Sequence, residues 1–386
     1  MRFSEFNVCW TTYKLETCAK IYDGTHQTPK YTKSGIRFIS VENISNLYDS
    51  QKFISLEDFK KEFKIHPQIN DILMTRIGDI GTPAVVSKED PLAYYVSLAL
   101  IRPLKNLYYL YIYDYIQTPY FKKELWHRTL HIAFPQKINK EEIGKCKISI
   151  PCEKEQFKIG NFLSLLDQRI YTQSKIIEDL ELFEKEINNT IINKLVEYKD
   201  LVKFSSIYNF AKEGGTPNTS HPEYYTKGSI PFVKIDDLTT KYLVCNQSFI
   251  TKLGLENSSA WLIPANSILY SNGATIGAIS INKYPVTTKQ GILGIVPKSD
   301  YLSEYLYYFL RSNYFKKEIC KITTQGTMKS AYIKDIDNIL VPRINKNQQN
   351  EILTLLSEIT LKIQQEKDIL ELYKKQKAYL LKNMFI

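Results

Sequence analysis

Apolar residues along this chain keep two different rhythms, and the rhythm changes at matching places. Short runs rich in Val, Ile, Tyr and Phe, bounded by Gly, Pro, Asn and Asp, read as strands; Ile36 to Val41, Ala84 to Ser87 and Ile148 to Ile150 are examples. A helix is predicted among them at about Leu107 to Leu125, and another at Tyr301 to Ile319. Two long stretches without proline follow, roughly Glu155 to Val196 and Gln348 to Phe385, in which apolar residues recur at heptad spacing. The first carries Ile159, Leu166, Gln173, Leu180 and Ile187 on one seam and Leu163, Ile170, Ile177, Glu184 and Ile191 on the other. The second carries Ile352, Ile359, Glu366, Tyr373 and Leu380, then Leu356, Ile363, Leu370, Lys377 and Met384. A narrow seam of period 3.5 asks for a partner helix, and the two stretches are natural partners for each other. Two amphipathic helices, each lying on its own domain, would share the pattern. Their length favours pairing, since ordinary globular helices average about 11–12 residues.

The polar interruptions of the seams coincide at an offset of 193, Gln173 with Glu366 and Glu184 with Lys377, and the rest of the chain repeats too. Tyr31-Thr-Lys-Ser-Gly-Ile-Arg-Phe-Ile39 returns 194 positions later as Tyr225-Thr-Lys-Gly-Ser-Ile-Pro-Phe-Val233. Tyr120-Phe-Lys-Lys-Glu-Leu125 returns as Tyr314-Phe-Lys-Lys-Glu-Ile319, and Asp71-Ile-Leu-Met-Thr75 with Gly81 as Ser267-Ile-Leu-Tyr-Ser271 with Gly277. Collinear matches at nearly one offset establish a duplication. The expected organisation is α+β: two similar mixed α/β domains, 1–150 and 199–342, separated by a central helix, 151–198, and a C-terminal helix, 343–386. The two helices are expected to pair as a coiled coil in a pseudo-two-fold arrangement.

Charge follows the same division. Of 386 residues, 51 are Lys or Arg and 41 Asp or Glu, a net +10. Residues 1–150 and 199–342 each carry +5, while the helical segments carry −3 and +3. Two basic modules on a neutral spacer suit a polyanion such as DNA, although two basic surface domains without such a partner would look alike. The six cysteines are scattered without a C-x-x-C pair and read as reduced thiols. With no apolar run of spanning length and no signal-peptide pattern, a cytoplasmic, non-membrane protein is expected.

Catalytic patterns are missing from the sequence. It has no G-x-x-x-x-G-K-[ST] loop, no Pro-Pro pair of the kind amino-methyltransferases carry, and no Pro-Asp dipeptide to complete a nuclease metal site. His127 and His131 stand four apart without an acidic or cysteine ligand patterned beside them, so no metal site is assigned. Base reading is better served. Corresponding Gly-punctuated segments carry donors and acceptors suited to groove edges: Thr75 and Arg76 against Ser271 and Asn272, then Arg128 and His131 against Gln325, Thr327 and Lys329. Lys289 and Gln290 form a further pair in the second half. Each could equally be an ordinary polar loop. The tyrosine clusters near 108–113 and 305–308 are expected mainly in the core.

The layout resembles the specificity subunit of a Type I restriction-modification enzyme. Asp71 to Gly81, repeated at Ser267 to Gly277, resembles that family's D-I-L…G…G strand and turn. Ile150-Pro151 with Glu155-Gln156 and Ile159 resembles its approach to a long helix, which here ends in Leu381-Lys-Asn-Met-Phe385. The second copy departs in having Gln348-Gln349 where Glu155-Gln156 stands. The resemblance implies a non-catalytic subunit whose two target-recognition domains, joined by an antiparallel pair of long helices, each read half of a gapped site in double-stranded DNA. It implies two modification subunits and two restriction subunits as partners, with S-adenosylmethionine, ATP and Mg bound on those subunits.

Overall fold

The computed structural model describes residues 2–273, 275–323 and 330–385 of the chain. They fall into two compact units, Met1–Lys175 with Lys367–Ile386, and Ile176–Glu366. Each unit therefore holds one α/β module and a stretch of both long helices.

In the first unit a four-stranded antiparallel sheet runs Ala19–Asp23, Leu98–Pro103, Ile72–Thr75, Pro83–Val85, with Ile72 opposite Ile101. A three-stranded sheet, Phe53–Ile54, Ile36–Ile39, Leu92–Tyr94, lies in the same module. The strand Ile72–Thr75 is buried throughout because both of its faces are covered. Side chains alternate across a strand. Ile72 and Met74 join Ala99 and Ile101 in a core with the helices, while Leu73 joins Leu98 and Leu100 in a second core beside Phe38 and Ile39. A continuous apolar run is the sequence a doubly covered strand needs.

The second unit repeats this with one strand more: Tyr208–Glu213, Ile292–Pro297, Ile268–Ser271, Ile279–Asn282, Tyr242–Leu243. Ile268 and Tyr270 face the helices, and Leu269 faces the other core with Val233 and Ile292. Two-stranded ribbons, Thr11–Lys14 with Lys147–Ile150 and Leu201–Lys203 with Leu340–Pro342, bring the ends of each module together.

The single helix expected at Leu107 to Leu125 is two, Tyr109–Gln117 and Pro119–Arg128. Pro119 disfavours helical geometry at Thr118, which stands at ψ 150° and caps the second helix by accepting from the Phe121 N–H at 3.2 Å. The other copy breaks in the same way, into Ser303–Arg311 and Asn313–Ile322, although it has no proline there. Ser312 makes the corresponding cap to Phe315, also at 3.2 Å. Tyr111, Tyr115, Tyr305, Tyr307 and Tyr308 are buried on these helices.

The central helix is unbroken from Glu153 to Tyr198 and the C-terminal helix from Lys346 to Asn383. Within each unit their portions lie antiparallel. In the first, Lys377 Nζ is 2.6 Å from Asp167 Oδ1; in the second, the Thr360 hydroxyl donates to Glu184 Oε1 at 2.6 Å. The seams face inward: Ile159, Leu163, Leu166, Ile177, Leu356 and Ile363 are buried, and Ile170, Leu180, Ile352, Ile359, Leu370 and Tyr373 half-buried. Among the described residues no helix is long and apolar enough to cross a membrane.

Candidate nucleic-acid interface

In both modules the central strand ends in the same turn. Gly81 stands at φ +96° and donates its N–H to Thr75 O at 3.0 Å, while the Thr75 hydroxyl accepts from Thr82 N at 2.9 Å. Gly277 stands at φ +103° and donates to Ser271 O at 3.0 Å, and the Ser271 hydroxyl accepts from Ala278 N at 2.8 Å. Glycine tolerates this left-handed backbone without steric cost. A hydroxyl residue at the strand end satisfies the turn's free N–H.

One residue further, the two copies share their backbone bonds and differ in side chain. Arg76 donates its N–H to Ser97 O at 3.0 Å and accepts from Ile138 N at 3.0 Å. Asn272 donates to Gly291 O at 3.0 Å and accepts from Ala331 N at 2.9 Å. The guanidinium of Arg76 is paired with Asp23, while the Asn272 side-chain amide donates to Ala331 O at 3.1 Å. Thr75, Arg76, Ser271 and Asn272, all expected to face DNA, are buried. Their polar groups largely hold the frame on which the loop tips stand.

The remaining candidates lie nearer the surface. Arg128 is half-buried between Glu124 at 3.6 Å and Glu142 at 3.4 Å. His131 is exposed, with its Nε2 2.9 Å from Trp126 O and its ring 4.8 Å from that indole. Lys289 and Gln290 are exposed just past the strand Thr287–Thr288. Lys289 N is anchored to Val233 O at 2.9 Å, and Gln290 N to the Thr216 hydroxyl at 3.3 Å. Gln325, Thr327 and Lys329 lie outside the described residues. The fold thus gathers the Arg76 turn with the 130–138 loop in the first module. In the second it gathers the Asn272 turn, the 289–291 loop and Ala331.

Two side chains at this rim are not singled out by the sequence. Ile132 and Phe134 are fully exposed, flanked by exposed Leu130 and Trp126, with Gln136 and Lys137 just after them. The loop is held by its backbone, Gly78 N to Gln136 O at 2.9 Å and Leu130 N to Lys137 O at 2.8 Å, which leaves the tip free to touch something else. Apolar residues outside either rhythm, next to Pro135, were the available signal. A second exposed apolar set lies on the long helices, at Phe162, Leu165, Tyr171, Leu182 and Phe183 and at Leu361, Leu372 and Tyr379. Apolar residues left exposed along both helices are available to a partner.

The sequence pattern described as the Type I restriction modification DNA specificity domain matches residues 7–182 and again 193–373. The chain belongs to this family. The MjaIX specificity subunit of Methanocaldococcus jannaschii is 31% identical over 210 residues, 53% of this chain and 48% of that protein. The Escherichia coli EcoR124I/EcoR124II specificity subunit is 26% identical over 251 residues, 60% of the chain and 61% of the relative. The chain thus spans about half to three-fifths of the length of these two curated relatives. The putative MjaX specificity subunit, from the same archaeon as MjaIX, is 25% identical across 95% of the chain and 89% of its own length. The fold matches too. The crystal structure of the S subunit from M. genitalium aligns over all of this chain and 97% of that one, with a TM-score of 0.55 at 16% identity. A chain from a type I R-M system studied for complex assembly and conformational transition gives 0.63 at 13% identity, over 98% and 97%. Two specificity domains in one duplicated chain are therefore shown, and the rims described above are among the places where the copies differ.

Proposed function

We propose that this chain is the non-catalytic DNA reader of a Type I restriction-modification complex. Each module reads one half of a gapped, two-part site, and the paired helices set the gap and dock the other subunits. The observation that carries this is the duplicated rim: one backbone frame, Arg76 O to Ile138 N and Asn272 O to Ala331 N, presents different side chains in each copy. Two modules built alike but faced differently suit two different half-sequences. Phosphate contacts from the basic modules would set register, and exposed groups at the loop tips would specify bases. His131, Lys137, Lys289 and Gln290 are the exposed polar candidates, and Phe134 and Ile132 have the apolar shape that can wedge against a base step.

In this reading two modification subunits bring S-adenosylmethionine and adenine-N6 methylation. Two restriction subunits bring ATP, Mg and cleavage. The exposed apolar residues on the helices support docking there. The test exchanges residues 199–342 for the same region of a relative and reads the methylated motif of the host by sequencing. One half of the motif should change while the other stays. A change in both halves, or no methylated motif at all, refutes two independent readers.

A further inference from the structure

The duplication allows one side-chain cluster to be compared with its own copy. In the second unit, buried Tyr308 has its phenol oxygen 2.9 Å from the Thr360 hydroxyl, which in turn lies 2.6 Å from Glu184 Oε1. Lys241 Nζ donates to the same phenol oxygen at 3.3 Å and sits 4.5 Å above the ring. Arg311 completes the cluster, donating to Tyr307 OH at 3.1 Å and lying 3.9 Å from Glu184. Each polar side chain of this cluster has a partner.

At the repeat offsets of 193 and 194, the counterparts in the first unit are Asp114 for Tyr308, Asp167 for Thr360, Lys377 for Glu184, Gln117 for Arg311, and Leu47 for Lys241. Lys377 lies 2.6 Å from Asp167 and donates to Gln117 Oε1 at 3.1 Å, so these three are satisfied. Asp114 is not. It is 1% exposed, and neither carboxyl oxygen has a hydrogen-bond partner. Both changes act in the same direction: a smaller side chain replaces the tyrosine, and an apolar one replaces the lysine that served it. A cleft of about 770 Å³ opens at this point, with Asp114, Gln117 and Asp167 among its lining residues and Leu47, Leu110 and Val85 supplying apolar wall. Its rim, at Asn46, Gln168 and Tyr171, is exposed.

A buried carboxyl without a partner is costly, and a cation at hydrogen-bond distance relieves the cost best. An anion would meet Asp114 and Asp167 as like charges. A long apolar stem ending in a positive group matches both the walls and the floor of the cleft. We propose that the cleft takes a lysine or arginine side chain of the modification subunit, whose charged end pairs with Asp114 as Lys241 serves Tyr308 in the other copy. This rests on the reading that the chain assembles with such a subunit.

The full chain is titrated with the modification subunit, and the dissociation constant is measured for the parent, Asp114→Asn and Leu47→Lys. Melting midpoints are measured alongside. Asp114→Asn should weaken assembly by about tenfold or more and should raise the midpoint of the free chain, because it removes an unpaired buried acid. Leu47→Lys should weaken assembly as well, by supplying the cation from within. A parent that does not assemble overturns the reading above, and this inference with it. If the parent assembles and Asp114→Asn binds equally well, the inference alone falls. Weakening by Leu47→Lys alone reports blocked space and also overturns it. So does a lowered midpoint in Asp114→Asn, since that would mean Asp114 already has a stabilising partner.

Discussion

Gln156 and Gln349, 193 positions apart in sequence, make the same three hydrogen bonds. The amide oxygen of Gln156 accepts from Tyr108 N at 2.9 Å, and its nitrogen donates to Asn106 O at 3.2 Å and Pro151 O at 3.1 Å. Gln349 accepts from Leu302 N at 2.8 Å and donates to Asp300 O at 2.8 Å and Ile344 O at 3.3 Å. Each glutamine ties the first turn of a long helix to the segment that leads into its module's helix pair. The neighbouring position explains where the copies depart. Glu155 binds Arg2 at 2.7 Å, whereas Gln348 accepts from Asn345 N at 3.2 Å and so helps cap its own helix.

Replacing either glutamine with alanine leaves a buried N–H and two carbonyls unserved. A loss of about 1–3 kcal/mol is expected for each. Urea denaturation of the two variants should show similar losses; a negligible change in either would mean water takes over the same bonds.

Framing and reading should separate at the rim. Arg76→Ala leaves Asp23 beside an emptied pocket, and stability should fall by about 1–3 kcal/mol before any DNA is added. Phe134→Ala removes a fully exposed side chain and should leave the unfolding free energy unchanged within about 0.5 kcal/mol. It should nonetheless weaken DNA binding by the assembled complex. Melting curves and DNA titrations on the same two proteins check this. A stable Arg76→Ala protein that has lost specificity would return Arg76 to the reading surface.

Burial raises the Asp114 carboxyl well above the ordinary carboxylate range, Lys377 opposes the rise, and Asp167 adds to it. The folded chain therefore holds this proton more tightly than the unfolded chain. The stability linked to it is fully present below the unfolded value, about 3.9, and is lost as pH rises through the raised folded value. Comparing the free chain with Asp114→Asn at about pH 5 and about pH 8, the gap in unfolding free energy should widen at the higher pH in favour of the asparagine. A gap that stays constant would mean Asp114 is ionised throughout.

The paired helices can be tested as a ruler. One heptad is inserted after Ile177 and a matching one after Glu366, close to the boundary of the two units. One heptad at each place adds about 10.5 Å of helix and returns the seam to nearly the same face. At about 3.4 Å per base pair, the unread gap should grow by about three base pairs. Motif sequencing from cells carrying the doubly extended chain decides the matter; an unchanged gap would rule the helices out as the spacer.

Repetition and period made much of the fold legible. The seam through Leu163 and Leu356 and the strand at Ile148–Ile150 depend on local pattern, and both stand where the pattern put them. The break at Thr118 was written in Pro119, yet in the other copy only the cap from Ser312 marks it, and a cap is a weak signal inside an apolar run. Exposure at the rim was not legible. Whether Arg76 faces out or in depends on Asp23 and on the bond from Ile138, each more than fifty positions away. The sequence does not mark Asp114, a lone acid beside a tyrosine cluster. Only packing against the long helices shows it buried.

The bonds from Ile138 to Arg76 and from Ala331 to Asn272 join main chain to main chain. Such a fastening asks almost nothing of the residues beyond it. A lineage can exchange the loop tips wholesale, by mutation or by recombination between relatives, and the socket that receives them does not have to be rebuilt. Novelty at the rim would then come at little cost to folding.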